Sequence, residues 1–275
     1  MGLLSDMGLS SAQRSRDAQA RLGEAELRAH CATLPALPRL RLSDQGFDVI
    51  AELKLRSPSL GDLSAQTADP VARLRGYAAG GAAACSVLTE PSRFDGQLEH
   101  LSVAAAALAP LGVPVMRKDF LVDPYQVLEA RAAGAGGVLL IVRMVEPARL
   151  SAMLDEAAAQ GMFVLLEAFD AEDLQIAADL AGRRRGHDEQ VLMGLNCRDL
   201  QSLEIDFERF ERLRDLLPEP WPAVAESGVT TPADAAGVAA LGYRLALVGS
   251  ALMRSADPTQ SVRDLLRAGR EAAPR

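Results

Sequence analysis

Aromatic residues are scarce in this chain, with one Trp, three Tyr and seven Phe among 275 residues. A core of this size must therefore be filled mainly by Ala, Leu and Val. Cysteine is rare as well. Cys31, Cys85 and Cys197 are odd in number and lack metal-type spacing, which argues against a disulfide framework and fits reduced thiols. Long apolar runs are missing too. Gly136–Val142 (GGVLLIV) is far too short to span a bilayer, and MGLLSDMGLSSAQRSRDAQ at the start has no basic stretch followed by a continuous apolar one. These absences predict a cytoplasmic protein with no membrane partner. Positive charge is also in short supply: 29 Lys and Arg against 37 Asp and Glu leave a net charge of −8. The basic run Arg183-Arg184-Arg185 reads as a solvated loop, and no aromatic–basic interleaving accompanies it, so no nucleic-acid partner is expected. A locally positive site for an anionic ligand stays open.

What the chain does have is an alternation. Short β-rich runs lie at Val49–Leu55, Ala84–Leu88, Val113–Lys118, Gly137–Val142, Phe163–Ala168, Val191–Asn196, Ala223–Ser227 and Leu245–Gly249, with Ala- and Leu-rich helical stretches between them. Asp69-Pro70, Asp123-Pro124, Glu146-Pro147 and Thr231-Pro232 mark helix starts, because Pro in a first turn loses no hydrogen bond. Gly80-Gly81, Gly112, Gly134, Gly161 and Gly242 mark the stops. Eight such units in series predict a parallel α/β sheet closed into a (β/α)8 TIM barrel. An open doubly wound sheet is the alternative, but no G-x-G-x-x-G or Walker loop supports it. Residues 1–47 precede the first strand. Ala18–His30 reads as helical and Leu34–Arg41 as a Pro-punctuated connection. An N-terminal helical extension packed across the barrel is expected, with 1–275 forming a single domain.

Alternate strand residues share a face, and the inner face of a small barrel is normally aliphatic. Here it carries charge. Ile50, Glu52 and Lys54 share one face of the first strand, Pro114, Met116 and Lys118 one face of the third, and Phe163, Leu165 and Glu167 one face of the fifth. Asn196 follows Gly194 on the sixth strand with Arg198 beyond, and Glu226 follows Val224 on the seventh. All sit at or near strand C-termini, the catalytic end of such barrels. Buried charges of this kind must be paired or used. Ser227-Gly228 and Gly249-Ser250 follow the last two strands. Ser250 is a candidate N-cap for a short Ala251–Met253 helix, and these loops suit a phosphate.

The segments that carry these residues resemble one family. IAELKLRSPS (50–59) is similar to the E-x-K-x-x-S-P-S signature of the indole-3-glycerol phosphate synthases. SVLTEPSRFDG (86–96), RKDFLVDPYQVLEARAAGA (117–135), GLNCRDL (194–200), AESGV (225–229) and LVGSALMRSADP (247–258) resemble that family's blocks in the same order. The resemblance runs over roughly 48–258; residues 1–47 match only loosely, as if the family's extension were trimmed. It implies a decarboxylating lyase of tryptophan biosynthesis that closes the ring of 1-(o-carboxyphenylamino)-1-deoxyribulose 5-phosphate. No cofactor or metal is implied. The partner would be this small phosphorylated substrate, and the enzyme a monomer or weak homo-oligomer.

By the same resemblance Lys118 is the general acid, a lysine expected to have its pKa depressed by desolvation. Glu167 and Lys54 form the dehydration pair, with the division of labour between the two lysines left open. Glu52 and Asn196 orient the lysine and the substrate hydroxyls, and Glu226 completes the polar network. Ser57 and Arg198 face the substrate. Ser227, Gly228, Gly249 and Ser250 hold the phosphate, and Phe94, Phe120 and Pro58 bound the anthranilate pocket. Three departures stand out: Leu60-Gly61-Asp62 where a basic residue is common, Cys197 for a second Asn, and Phe169 for a frequent His. They leave room for a paralogue in a specialised indole pathway. A phosphoribosylanthranilate isomerase would be expected to carry Cys early in its first strand, which VIAELKL lacks, and a catalytically silent barrel would usually have lost rim charges.

Overall fold

The computed structural model describes residues 2–57, 61–63, 69–184, 190–199 and 202–274. Eight parallel strands close into a ring in chain order. They are β1 (Asp48–Leu53), β2 (Ala84–Leu88), β3 (Val115–Lys118), β4 (Gly137–Ile141), β5 (Phe163–Ala168), β6 (Val191–Asn196), β7 (Ala223–Glu226) and β8 (Leu245–Val248). Closure is made by β1, where Ile50 lies opposite Ala84 of β2 and Leu247 of β8. The (β/α)8 barrel expected from the alternation is therefore the fold.

The faces are as the period-two pattern requires. Ile50, Met116, Leu139, Leu165, Val224 and Leu245 fill the barrel. Val49, Ala51, Leu53, Val87, Val164 and Leu166 form the outer layer against the helices. All four Pro-marked helix starts are found, and three of them also carry a side-chain cap. Asp69 accepts from the amide of Ala72 and Asp123 from that of Tyr125, while Thr231 forms a capping box with Asp234. Glu146 makes no such bond.

Several strand ends differ from the sequence expectation. β1 stops at Leu53, so Lys54 stands just beyond it. β3 begins after Pro114, which has no N–H for a ladder bond although its carbonyl still accepts from Cys85. β7 ends at Glu226 because Ser227 turns into the left-handed region at φ 66°. The triple-arginine run is not simply solvated: Arg184 folds onto Asp155 and its side chain is only 12% exposed. Arg185 lies outside the described residues.

The N-terminal region is more structured than expected. Instead of one helix over 18–30 there are two, α1 (Leu3–Arg21) and α2 (Glu24–Thr33), parted by extended backbone at Leu22 and Gly23. The buried stripe of α1 is Met7, Ser11, Ser15 and Ala18. Small and polar, it gives no hydrophobic period, and its polar atoms find partners: Gln126 donates to Ser11 Oγ at 2.9 Å. Arg14 makes two bonds to Asp119, and Arg28 two to Glu156. Further on, Leu40 packs into the barrel interior and its carbonyl accepts from Gln190.

Candidate active site

Over the C-terminal ends of the strands lies a cavity of about 350 Å³. Of the fifteen site residues expected from sequence, thirteen line it: Glu52, Lys54, Phe94, Lys118, Phe120, Glu167, Asn196, Arg198, Glu226, Ser227, Gly228, Gly249 and Ser250. Ser57 has its backbone in a two-stranded ribbon formed by Arg56–Ser57 and Gly61–Asp62; its side chain, like all of Pro58, lies outside the described residues.

At the centre is Lys118, the last residue of β3. Its Nζ donates to Glu167 Oε2 at 3.4 Å and lies 3.8 Å from Glu226 Oε2. Asn196 Nδ2 donates to the other oxygen of Glu167 at 2.6 Å. On the adjacent side Lys54 Nζ lies 2.8 Å from Glu52 Oε1. Two glycines make room for these acids. A Cβ on Gly194 would collide with Glu226 Oε1, and one on Gly249 with Glu52 Oε1. The barrel thus keeps space at its mouth for carboxylates where a packed layer would otherwise carry aliphatic side chains.

The electrostatics follow from this crowding. Burial opposes ionisation of Glu52, but Lys54 and then Lys118 outweigh it and hold its pKa below the usual carboxylate value. For Glu226 burial is the largest effect and the charge of Glu167 adds to it, so its pKa stands well above the usual value despite Lys118. Lys118 corrects an expectation. Burial does act to lower its pKa, but Glu167, Glu226 and Glu52 together overcome it, and the net shift is upward. Desolvation alone predicts a depressed lysine; three neighbouring acids reverse the sign.

Around this cluster the walls divide by chemistry. Phe94 and Phe120 face each other with ring centroids 6.2 Å apart. Phe94 ends the short helix Pro91–Phe94, capped by Glu90, and Phe120 follows Lys118 by two residues. Opposite them, Ser227 and Gly228 both have positive φ, at 66° and 76°. Ser250 is not the N-cap expected: Gly249 holds that position and Ser250 opens the helix Ser250–Arg254, with no side-chain cap bond. Arg198 reaches across its own loop, its amide donating to Asn196 Oδ1 at 2.9 Å and its guanidinium to the carbonyl of Leu203 at 2.8 Å.

Some lining residues were not expected. Leu139 and Ile141 rise from β4, Leu203 and Ile205 from the loop after β6, and Leu3 and Leu4 from the start of α1. The alternation of β4 could have supplied the first two, but a search for charges passes over them. Phe169, singled out only as a departure, also lines the cavity, with the Arg143 guanidinium 5.1 Å from its ring centre. Among the described residues no group of three His, Cys, Asp or Glu is arranged to hold a metal ion. None of the described helices is long and apolar enough to cross a membrane.

Fold and site together define a (β/α)8-barrel enzyme with an acid–base cluster at its carboxyl-terminal mouth. The family model for indole-3-glycerol phosphate synthase matches residues 10–265, well ahead of position 48 where the motifs begin. The chain belongs to that family. It is 40% identical over 262 residues to the indole-3-glycerol phosphate synthase of Mycobacterium leprae, covering 95% of this chain and 92% of the relative. It is 45% identical over 227 residues to the Parafrankia protein of that name, covering 82% and 80%. Among solved structures, a 3-hexulose-6-phosphate synthase from Salmonella typhimurium superposes with a TM-score of 0.63 at 13% identity, over 82% of this chain and 99% of the other. A thiamine phosphate pyrophosphorylase from Pyrococcus furiosus does so at 0.58 and 16%, over 84% and 98%; both likenesses concern the fold alone.

Proposed function

We infer that this chain converts 1-(o-carboxyphenylamino)-1-deoxyribulose 5-phosphate to indole-3-glycerol phosphate, releasing carbon dioxide and water. The observation that carries this is the placement of Lys118 between Glu167 and Glu226 in a cavity walled by an aromatic pair on one side and glycine-rich turns on the other. Its volume, about 350 Å³, lies within the range of small-ligand sites.

The chemistry asks for three things, and a group is at hand for each. Attack of the anthranilate ring carbon on the ribulose carbonyl builds negative charge on oxygen, and Lys118, held as an ammonium by its neighbours, donates the proton. Carbon dioxide then leaves as the ring recovers its aromaticity. Loss of water needs an acid at the hydroxyl and a base at the ring methylene, and Lys54 with Glu167 fill these roles. Glu52 fixes Lys54, and Asn196 fixes Glu167. Phe94 and Phe120 hold the anthranilate ring, and Ser57 is the residue that would face the substrate from its loop. Backbone amides of Ser227, Gly228, Gly249 and Ser250 take the phosphate, and Arg198 supplies positive charge nearby. The residues require no cofactor for this sequence of steps. The enzyme would work in the cytoplasm as a monomer or weak homo-oligomer, without a nucleic-acid partner.

The direct test is to incubate the purified protein with the carboxyphenylamino-deoxyribulose phosphate and follow indole fluorescence. A rise with time is expected; no rise at saturating substrate would overturn the assignment.

A further inference from the structure

Three carboxylates and two ammonium groups meet at the mouth, and two of the acids are well matched. Glu52 pairs with Lys54 at 2.8 Å, while Glu167 receives Asn196 at 2.6 Å and Lys118 at 3.4 Å. Glu226 is different. It is 1% exposed, and neither of its oxygens accepts a hydrogen bond from any described residue. Lys118 Nζ, at 3.8 Å, is within ion-pair reach but too far for a hydrogen bond. A buried carboxylate with no donor is costly as an anion and much less so as an acid.

We propose that Glu226 carries a proton in the resting site and passes it to Lys118 once Lys118 has protonated the substrate alkoxide, a role that rests on the lyase reading above. Its surroundings favour this form. The charges acting on it are Glu167 from β5, Lys118 from β3 and Glu52 from β1, while Lys54, Asn196 and Arg198 line the same cavity. Burial and the Glu167 charge both resist a second anion beside Lys118. The space for the carboxyl group is kept by Gly194, whose Cβ would displace it.

The proton count leaves a place for such a store. Two protons reach the substrate carbonyl oxygen, one at ring closure and one as it leaves as water. One proton leaves the ring methylene carbon. Decarboxylation supplies none, so each turnover draws one proton from solvent. In the dehydration step Lys54 gives one and Glu167 takes one, which balances. In ring closure a Lys118 N–H bond breaks as the alkoxide O–H bond forms, leaving a neutral amine. That amine takes the proton from the Glu226 hydroxyl, leaving a carboxylate and a restored ammonium. Glu226 is then the group that the solvent proton refills.

Two measurements on the full chain test this. Infrared difference spectra of substrate-free protein at neutral pH should show a protonated-carboxyl band that is absent from Glu226→Gln. Asp173, another carboxyl raised by burial, is subtracted with Asp173→Asn. In turnover, Glu226→Gln should lower kcat about 10²-fold with KM changed far less. The wild-type kcat/KM should fall as pH rises past the pKa of Glu226, and the variant should lose that fall while Glu226→Asp keeps it. A variant within threefold of wild-type kcat, or a band unchanged by the substitution, overturns the relay. Should the variant unfold, absence of any such band from Asp173→Asn at neutral pH overturns it equally. Wild-type protein inert toward substrate would sink the lyase assignment and the relay together, whereas loss of the band result alone sinks only the relay.

Discussion

The two ends of the barrel treat buried charge in opposite ways. At the N-terminal end Asp48 opens β1 and is fully met: Arg270 lies at 3.1 Å, Arg244 at 3.3 Å, and the amide of Ser43 donates to it at 2.8 Å. Leu40 closes the interior beside it. At the opposite end Glu226 is as deeply buried yet receives no hydrogen bond from the described residues, and Lys118 is shared among three acids. The same desolvation acts at both ends. Satisfying the charge produces a fixed joint, whereas leaving it partly unsatisfied produces groups ready to exchange protons.

Substitutions at the two ends should therefore separate activity from stability. The largest effect is expected from Lys118→Ala: turnover, followed by indole fluorescence, should fall at least about 10³-fold while substrate binding stays measurable by titration. Near-normal turnover would remove Lys118 from the role of acid. Gly249→Ala should come next, because the added Cβ pushes Glu52 away from Lys54. A loss of about 10² in kcat/KM is expected, with a small change in melting temperature. At the other end Asp48→Asn should cost about 1–2 kcal/mol in urea unfolding, because Arg244 and Arg270 lose their carboxylate but keep the carbonyls of Ser43 and Phe47, with kcat unchanged. A kcat that falls in parallel would deny the division between the ends.

A smaller effect sharpens the contrast by pH. Asp119 is buried, which alone would raise its pKa, but hydrogen bonds and charge from Arg14, the charge of Arg117 and a bond from Thr89 bring it to about 2. Because the folded value lies below the unfolded one, the stabilisation is complete above about pH 4 and lost as pH falls toward 2. It amounts to about 2 kcal/mol, and Asp119→Asn should flatten the stability curve over that window. An unchanged acid slope would show that the clamp between α1 and the barrel contributes nothing there.

Much of this was legible in the sequence for a physical reason. Strand alternation exposes any charge placed on an inner face, so Glu52, Lys118, Glu167 and Glu226 stood out against Ile50, Met116, Leu165 and Val224. The helix starts at Pro70, Pro124 and Pro232 were equally plain, since each depends only on the residue and its own local backbone. What escaped notice depends on distant partners. Beyond Met7 the stripe of α1 is Ser11, Ser15 and Ala18, which carries no hydrophobic period and is recognisable only beside Gln126. The upward shift of Lys118 needed the convergence of three strands, and the end of β7 depended on the backbone turn at Ser227.

The N-terminal strap has a bearing on how the molecule is assembled. Arg14 waits for Asp119, Arg28 for Glu156, and Leu40 for Gln190, partners 105, 128 and 150 positions later. These early segments are thus anchored only by partners more than a hundred positions further along the chain. Closing such long loops before any local reward slows folding. A fragment that stops before Asp119 should leave α1 open to protease, while fragments that extend past it progressively protect it.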